Sequence, residues 1–343
     1  MKSLWSYVFL LIFSASVLDA SSGTIDAQTT VQLVNELHTF ADGDSAIGFV
    51  RFAKGFTAQG DMALGVLFPV DGPITLSDTG VVTLQGNLTL DPDATFPNGG
   101  IFTCDRTQTI FLNGNLTIPQ DKTLTCTGCV IIDGQGHQLK FEQGAKLVID
   151  GDPNTKVRLR NIQIKGLQDY TRSGHTIEFG SAINQTLTLD NVNLILSDNF
   201  TFDGGLLRIK NVVSIQGEYC IFRYRAPYHC KILKDSTLFI DIISGFLYSP
   251  SDGKPNHIVM KDVTSRLFLN GAIFAASGQT GCILKTGHMI LDHNVIFRNI
   301  NKTTKDYGII FGTGTEEEDL EIDILPGASI DIAEGFLTYR NVY

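Results

Sequence analysis

Residues Val157–Ile164 read VRLRNIQI, an alternating apolar strand, an Asn, and a second alternating strand. The same order returns in Leu187–Leu194 (LTLDNVNL) and Leu207–Ile215 (LRIKNVVSI). Later copies are Ile258–Val263 and Met289–Phe297. Alternation with a period of two is typical of strands that bury one face. The recurring order predicts a chain built from repeated strand, Asn, strand units.

The spacing between copies indicates how these strands are arranged. From Asn161 to Asn191 and from Asn191 to Asn211 the steps are about 30 and about 20 residues, a range typical of one turn of a solenoid. The connections between the copies are rich in Gly, Asp, Asn and Ser. An Asn at each corner can satisfy backbone groups and tolerates unusual backbone angles. We therefore expect an all-β, single-stranded parallel β-helix over residues 73–343, with about twelve turns of about 22 residues.

An antiparallel two-sheet sandwich is the alternative, because it also produces short alternating strands. The fixed order of the repeated unit argues against it. The hairpin dipeptides Asn-Gly and Asp-Gly occur, but they do not recur regularly along the chain. The repeating body, at roughly 270 residues, is also large for one sandwich. Composition agrees with a mostly β protein, because charged residues are only 18% of the chain and Gly is 34 of 343 residues.

The amino-terminal residues indicate export. Residues 1–20 combine Lys2, an apolar core from Tyr7 to Phe13 and a short end at Ala20, which is typical of a cleaved signal peptide. A membrane anchor is the alternative, but this apolar core is well under the ~20 residues that span a bilayer. No later stretch of the sequence is apolar over such a length, so we expect no transmembrane segment in the mature chain. The expected location is secreted, periplasmic or at the cell surface.

Residues 21–72 lack the repeated unit, and we interpret them as an N-terminal cap region. Within Thr29–Phe40, the apolar residues Val31, Val34 and Leu37 have helical spacing. A solenoid needs its open end covered, because an exposed strand edge templates aggregation. The sequence therefore predicts a short helical cap ahead of the β-helix.

Three consecutive segments of the sequence resemble those of a known family. They are Ile131–Leu139 (IIDGQGHQL), Leu147–Gly151 (LVIDG) and Val157–Ile162 (VRLRNI). They resemble the right-handed parallel β-helix, or pectin-lyase-like, superfamily, and in particular its non-catalytic, exported, adhesin-like repeat proteins. The resemblance implies a right-handed solenoid. The resemblance indicates very little about function, because proteins of one fold have many different activities.

The catalytic motifs of that superfamily are largely missing. Its polygalacturonase-like branch carries Asn-Thr-Asp, Asp-Asp, Gly-His-Gly and Arg-Ile-Lys in that order, and only the last occurs here, at Arg208-Ile209-Lys210. Arg208 and Lys210 alternate with the apolar Leu207 and Ile209, which predicts the solvated outer face of a strand. The motif therefore has a structural explanation.

Other candidate chemistry is equally weak. His137 and His175 each follow a glycine, where a surface histidine is ordinary. The calcium-binding nonapeptide repeat, a nucleotide-binding glycine loop and a Gly-x-Ser-x-Gly elbow are not found in the sequence. We predict no catalytic residue, no cofactor and no metal site.

The cysteines suggest a structural role. They are Cys104, Cys126, Cys129, Cys220, Cys230 and Cys282. An even number in an exported protein favours disulfides, and buried stacked thiols are the alternative. The step from Cys104 to Cys126 is close to one turn, so these two cysteines can stack on adjacent turns. Cys220 and Cys230 can close a local loop.

The segment Cys126–Cys129 reads CTGC, the spacing of a metal or redox motif. A zinc site needs a second pair at similar spacing, and a thioredoxin-like motif needs a βαβ context. Neither accompanies this segment, so we interpret its cysteines as disulfide or buried-thiol candidates like the others.

Charge and pattern leave two function classes. The chain has 26 basic and 36 acidic residues, a net charge of −10, so nucleic acid is an unexpected partner for its average surface. The first class is an exported, non-catalytic β-helix that acts in adhesion or extended-surface binding, with a glycan or a host or cell-surface protein as partner. The second is a divergent polysaccharide lyase or glycoside hydrolase of the same fold.

A contact patch is predicted for the first class. Tyr219, Phe222, Tyr224 and Tyr228 lie close together in the sequence and are expected to face outward. Exposed aromatic clusters are typical of binding sites. A loop tucked against the rod is the alternative explanation.

Overall fold

The computed structural model describes residues 23–29, 47–58, 62–63, 75–76, 81–84, 87–90, 99–170, 174–276, 281–300, 308–312, 320–334 and 337–339. These residues form thirty strands and no helix. A membrane-spanning helix is accordingly not found in this part of the chain. The predicted signal peptide lies outside the described residues. So does the predicted cap helix, except Thr29, which ends a strand.

The strands follow one another along the chain. The first ten are β1 Gly23–Thr29, β2 Ile47–Ala58, β3 Met62–Ala63, β4 Thr75–Leu76, β5 Val81–Leu84, β6 Leu88–Leu90, β7 Gly100–Leu112, β8 Leu116–Ile118, β9 Thr123–Asp133 and β10 Gln138–Phe141. The next ten are β11 Lys146–Asp150, β12 Lys156–Leu167, β13 Ile177–Phe179, β14 Thr186–Leu196, β15 Phe200–Phe202, β16 Leu206–Gly217, β17 Phe222–Tyr224, β18 Cys230–Ile232, β19 Thr237–Ile242 and β20 Phe246–Tyr248. The last ten are β21 Ile258–Met260, β22 Arg266–Asn270, β23 Ile273–Ala276, β24 Cys282–Leu284, β25 Gly287–Asp292, β26 Asn294–Asn299, β27 Ile309–Phe311, β28 Leu320–Ile324, β29 Ser329–Glu334 and β30 Leu337–Tyr339.

The strands pair in parallel, which confirms the predicted solenoid over the sandwich. They form sheets of 21, 6 and 3 strands, and every pairing between strands in the described residues is parallel. The single antiparallel contact in that part of the chain is an isolated bridge between Asp169 and His175. The pairing begins early, because β1 and β2 pair with each other and β2 pairs with β4 and β5.

The length of a turn varies along the solenoid. Leu207 pairs with Cys230 on the next turn, whereas Leu291 pairs with Ile324, which is a clearly longer step along the chain. The longer turn therefore has more residues between its paired strands. The described part of the chain forms a solenoid of about 9 turns, whereas twelve were predicted.

Aliphatic ladders fill the interior. Leu159, Leu189 and Ile209 occupy equivalent positions on β12, β14 and β16, and each is at most 2% exposed. Burial of one such side chain contributes about 1.5–3 kcal/mol. Leu207 is buried as well, whereas Arg208 and Lys210 are partly exposed, so the predicted orientation of this strand is confirmed.

Asparagines form corners, as the repeated unit predicts. Asn161, Asn191 and Asn211 have φ angles of 48°, 57° and 54°, in the left-handed region that Asn tolerates better than most residues. The side-chain amide of Asn191 donates to the side-chain oxygen of Asn161 at 3.0 Å. These corners let one long strand bend and run along two faces of the solenoid.

Two columns of aromatic side chains from the 6-stranded sheet pack in the core of the solenoid. The first is Phe200, Phe222, Phe246 and Phe274, with neighbouring ring centroids 5.4–5.6 Å apart. Tyr224 stacks on Tyr248 in the second column, with ring centroids 6.2 Å apart. These contacts bury six large rings in one continuous part of the core.

Phe222 and Tyr224 are therefore core residues, 2% and 0% exposed, and the prediction that they face outward is wrong. Alternation along β17 places Arg223 outside and its two aromatic neighbours inside. The hydroxyl of Tyr224 donates to the backbone oxygen of Tyr228, which satisfies a buried polar group.

Candidate ligand-binding surface

The rest of the predicted contact patch is a small corner of the surface. Tyr219 is 87% exposed, and Tyr228 is partly buried. Ile243, between β19 and β20, is 61% exposed. Single exposed apolar side chains are common on protein surfaces and do not by themselves define a site.

The cysteines behave as core residues. All six are free thiols, and all except Cys129 are buried. Cys126 pairs with Phe102, whereas Cys104 pairs with Gly128, so Cys104 and Cys126 lie on adjacent turns two positions out of register. Burial raises the pKa of Cys126 to about 12. A thiol this hard to ionise is a poor nucleophile and a poor metal ligand.

Two buried aspartates, Asp133 and Asp190, join neighbouring turns on the face formed by the strand segments before the corner asparagines. Asp133 accepts hydrogen bonds from Nε and Nη2 of Arg160 at 2.9 and 2.6 Å. Asp190 is 1% exposed, contacts Arg158 and accepts from the side-chain amide of Asn211 at 2.6 Å. Each of these bonds joins different turns. The aspartates are engaged by the protein itself, so we assign them a structural role.

His175 is clamped between two carboxylates. Its Nδ1 lies 2.7 Å from Asp169 and its Nε2 lies 2.9 Å from Asp203. Hydrogen bonds to Asp169 and then Asp203 raise the pKa of His175 to about 9. A histidine held in its charged form lacks the free lone pair of a general base.

Asp169 in turn is fixed by several donors. The backbone N–H and the hydroxyl of Thr201 donate to it at 2.6 and 2.7 Å. Burial alone would raise the pKa of Asp169, but the hydrogen bonds from His175 and Thr201 outweigh burial and lower it. The cluster therefore connects Asp169 and His175 to β15, and we interpret it as a structural clamp.

The outer face that follows the corner asparagines carries a continuous column of side chains, one from each of seven consecutive turns. We call it the central outer column; its members are Gln163, Asn193, Ser214, Phe239, Phe268, Ile290 and Asp323. Equivalent positions on neighbouring parallel strands are ~4.8 Å apart. The column begins with amides and a hydroxyl, continues with aromatic and apolar side chains, and ends with an acid.

Phe239 and Phe268 form an aromatic platform within this column. Their ring centroids are 4.5 Å apart, their planes differ by 24°, and both side chains are partly exposed. No residue of the predicted contact patch is in this pair. The repeat itself was the available signal, because Thr237–Ile240 reads TLFI and Arg266–Leu269 reads RLFL.

Hydrogen-bonding side chains flank the aromatic platform on both sides. One flank is Gln216, Asp241, Asn270 and Asp292, and the other is Thr237, Arg266, His288 and Glu321. The amide of Asn270 donates to Asp241 at 3.1 Å, so this flank is itself ordered across turns. A flat apolar centre with polar edges on a rigid sheet is typical of a binding surface.

His288 also belongs to the group among the described residues that could hold a metal ion. Its Nε2 contacts Glu321, and its Nδ1 lies 3.7 Å from Asp323. Arg266 pairs with His288 on the preceding turn and places a cation in the same column. The three side chains are partly or fully exposed, and their contacts are explained as a surface ion-pair network.

A slot opens between β21 and β24, on the outer face formed by the strand segments before the corner asparagines. It encloses about 470 Å³ and is lined by His229, Asn256, Ile258, Val259, Met260, Lys261, Ile283, Lys285 and Thr286. β21 pairs with β18 and β24 pairs with β27, and no register connects β21 with β24 in the described residues. The slot is therefore a gap between two turns of the solenoid.

Two histidines adjoin the slot, and one of them, His229, lines it. Nδ1 of His257 is 3.4 Å from Nδ1 of His229, and Nε2 of His257 is 2.9 Å from Asp252. Burial, followed by the nearby His257, Lys231 and Lys261, lowers the pKa of His229. Near neutral pH the slot is therefore lined by lysines and an uncharged His229.

Comparisons with known proteins give no match to a family model, to a curated protein or to a solved structure.

Proposed function

We propose that this protein is an exported, non-catalytic β-helix of the right-handed, pectin-lyase-like kind that binds a glycan along its outer surface, in adhesion or surface display. The observation that carries the proposal is the aromatic platform of Phe239 and Phe268, which faces solvent in the centre of a flat, polar-edged sheet. Exposed aromatic side chains in such a setting are typical anchors of binding energy.

The chemistry of the platform fits a sugar. The face of a pyranose ring presents C–H groups that pack on an aromatic ring, while its hydroxyls need donors and acceptors at the edge. Asp241 and Asn270 lie on one edge of the platform and Arg266 lies on the other. A polymer lying along the platform has hydrogen-bonding side chains beside it on successive turns, at Gln216, Asp241, Asn270 and Asp292.

Rigidity supports this assignment. Phe239 and Phe268 belong to β19 and β22, whose inward neighbours Leu238, Ile240 and Leu267 are at most 2% exposed. Little conformational entropy is lost when a ligand packs on side chains that are already ordered. The platform is preorganised for binding.

The experiment is a glycan-binding screen followed by affinity measurements on two double variants. Phe239→Ala/Phe268→Ala is expected to weaken the selected glycan at least about tenfold, the equivalent of ~1.4 kcal/mol. Tyr219→Ala/Ile243→Ala removes exposed apolar side chains elsewhere and is the matched control. Loss of affinity in the control alone, with the platform variant unchanged, would move the site to the Tyr219 corner and refute the proposal.

A hydrolase is the second candidate, because Asp241 and Asp292 lie in one flank with Asn270 between them. Two pairing steps of ~4.8 Å place their Cα atoms roughly 10 Å apart. Inverting glycoside hydrolases hold two carboxylates about 6.5–9.5 Å apart. New reducing ends after incubation with the bound glycan, abolished in Asp241→Asn and in Asp292→Asn, would favour hydrolysis over adhesion.

Export rests on residues 1–20, whose zones are those of a signal peptide. Expression in a secreting host, followed by amino-terminal sequencing of the released protein, tests it. The expected mature chain starts close to Ser21. Retention of Met1 in the released protein would contradict cleavage.

A further inference from the structure

The slot between β21 and β24 has a different character from the aromatic platform. Across most of the described solenoid, neighbouring turns are joined by regular ladders, but here the backbone N–H of Ile283 donates to the oxygen of Pro255 at 2.7 Å outside any ladder. The turns separate beside this bond and leave the pocket of about 470 Å³. Its size is within the range of small-ligand sites.

Cations collect on the strands that lead to the slot. Arg208 pairs with Lys231, and Lys231 pairs with Val259, which lines the slot; Lys261 follows two residues later. Burial first, then Lys261 and Arg208, lowers the pKa of Lys231. These like charges are close enough to disfavour one another, in a chain whose net charge is −10.

The described residues offer these cations no carboxylate in return. No Asp or Glu oxygen of that part of the chain lies within 4.0 Å of Arg208, Lys231 or Lys261. Asp252, behind the slot, is held by His257 at 2.9 Å and by Lys254 at 3.3 Å. The charges of Arg208, Lys231 and Lys261 therefore have no counter-charge among the carboxylates of the described residues, and an anion from outside can supply one.

The lining also favours one shape of anion. Its cations are the ammonium groups of Lys261 and Lys285, with the Asn256 amide and the Thr286 hydroxyl as further donors, and no arginine is among the lining residues. A carboxylate is matched best by the planar fork of a guanidinium, whereas lysines act as point charges that suit tetrahedral oxyanions. Sulfate and phosphate esters share this tetrahedral chemistry.

We propose that the inter-turn slot binds a sulfate or phosphate ester group, held by Lys261 and Lys285 with Asn256 and Thr286. The proposal rests on the proposed function, because it names the glycan class as one that carries such esters. The cations at Lys231 and Arg208 extend the site along the preceding turns, so that successive ester groups on one polymer can be bound together.

Binding is measured with four probes: a heparin fragment for sulfate esters, a polyphosphate of similar length, hyaluronate as a carboxylate-only polymer, and a short duplex DNA. We expect heparin or polyphosphate to bind at least about tenfold more tightly than hyaluronate at equal ionic strength. The stronger of the two shows whether the slot prefers sulfate or phosphate groups. Equal or tighter binding of hyaluronate would overturn the tetrahedral assignment, and preference for DNA would overturn the glycan class.

Variants locate the site. Lys261→Gln/Lys285→Gln is expected to weaken the preferred probe at least about tenfold and to reduce its salt dependence. Lys140→Gln/Lys165→Gln removes the same charge from the other outer face and is the matched control. Val259→Trp fills the slot without changing charge and is expected to weaken binding as well. Equal affinities of the slot variants and the control, with unchanged unfolding midpoints, would overturn the proposal.

The two proposals fail separately. If the platform variant Phe239→Ala/Phe268→Ala binds every glycan normally while the slot variants lose heparin, the platform is refuted and the slot is supported. If the protein binds neutral glycans through the platform but shows no preference for any ester, the slot is refuted and the platform is supported.

Discussion

The inner aromatic column and the outer aromatic platform are built from the same residue type with the same one-per-turn repetition. Phe222, Phe246 and Phe274 stack at 5.4 Å inside the solenoid, and Phe239 and Phe268 stack at 4.5 Å outside it. What separates them is the face of the strand on which they fall. Inside, the rings stabilise the fold; outside, the same contact leaves the ring edges and flanks available to a ligand.

The largest effect should come from breaking the inner column. Phe246→Ala removes a ring that is 2% exposed and stacked on both sides, so we expect the free energy of unfolding to fall by about 3–5 kcal/mol. Phe268→Ala is the outer counterpart and should cost less than about 1 kcal/mol. Urea unfolding of both variants checks the comparison; equal losses would mean that the outer pair is also part of the core.

The second prediction applies the same comparison to carboxylates. Asp190→Asn should lower the free energy of unfolding by about 2–3 kcal/mol, because Asp190 is 1% exposed and its partners Arg158 and Asn211 lose their charged acceptor. Asp241→Asn, on the outer flank and partly exposed, should change it by less than about 0.5 kcal/mol. Urea unfolding measures both; a stable Asp190→Asn variant would show that the buried acid is dispensable.

The third prediction concerns pH. His175 has an ordinary pKa of 6.5 that its carboxylate partners raise to about 9, so the stabilisation is fully present below pH 6.5 and is lost as the pH rises through 9. Because Asp203 is substantially exposed, we expect a loss of only about 1–2 kcal/mol. Unfolding curves of the wild type and His175→Gln between pH 6 and 10 should differ at low pH and converge above about pH 9.5. A constant difference would contradict the charge clamp.

The smallest effect is expected at the corner that separates the two faces. Asn191 has a φ of 57°, so Asn191→Ala should be about 1 kcal/mol less stable than Asn191→Gly. Asn193, two residues later on a strand, should show the reverse order, because glycine weakens a strand interior. Thermal unfolding of the four variants gives the ranking, and the same order at both positions would indicate that the left-handed corner is not what constrains Asn191.

Much of the architecture was predictable from local pattern. The alternation in Val157–Ile164 and its repetition around Asn191 and Asn211 predicted parallel turns, inward aliphatics and asparagine corners with unusual backbone angles, and the structure confirms each. The number of turns was not predictable, because the number of residues in a turn varies along the chain. The orientation of Phe222 and Tyr224 was missed because β17 has only three residues, too few for a period-two pattern to show its phase.

The candidate sites were missed for a related reason. Phe239 and Phe268 lie a whole turn apart in the sequence and stack only because the turns stack, and Lys261 acts on Lys231 from the next turn in the same way. Register between turns depends on how many residues each connection holds and where each corner falls. No pattern within a single turn contains that information.

The sequence alone determined that this chain is a parallel solenoid, because a repeated strand, corner, strand unit can bury its apolar face only by stacking on copies of itself. The tertiary structure decided which side chains become neighbours across turns, and therefore where an aromatic platform and a cationic slot lie. The physical reason is that stacking is set by hydrogen-bond register between distant segments, while the fold type is set by periodicity within each segment.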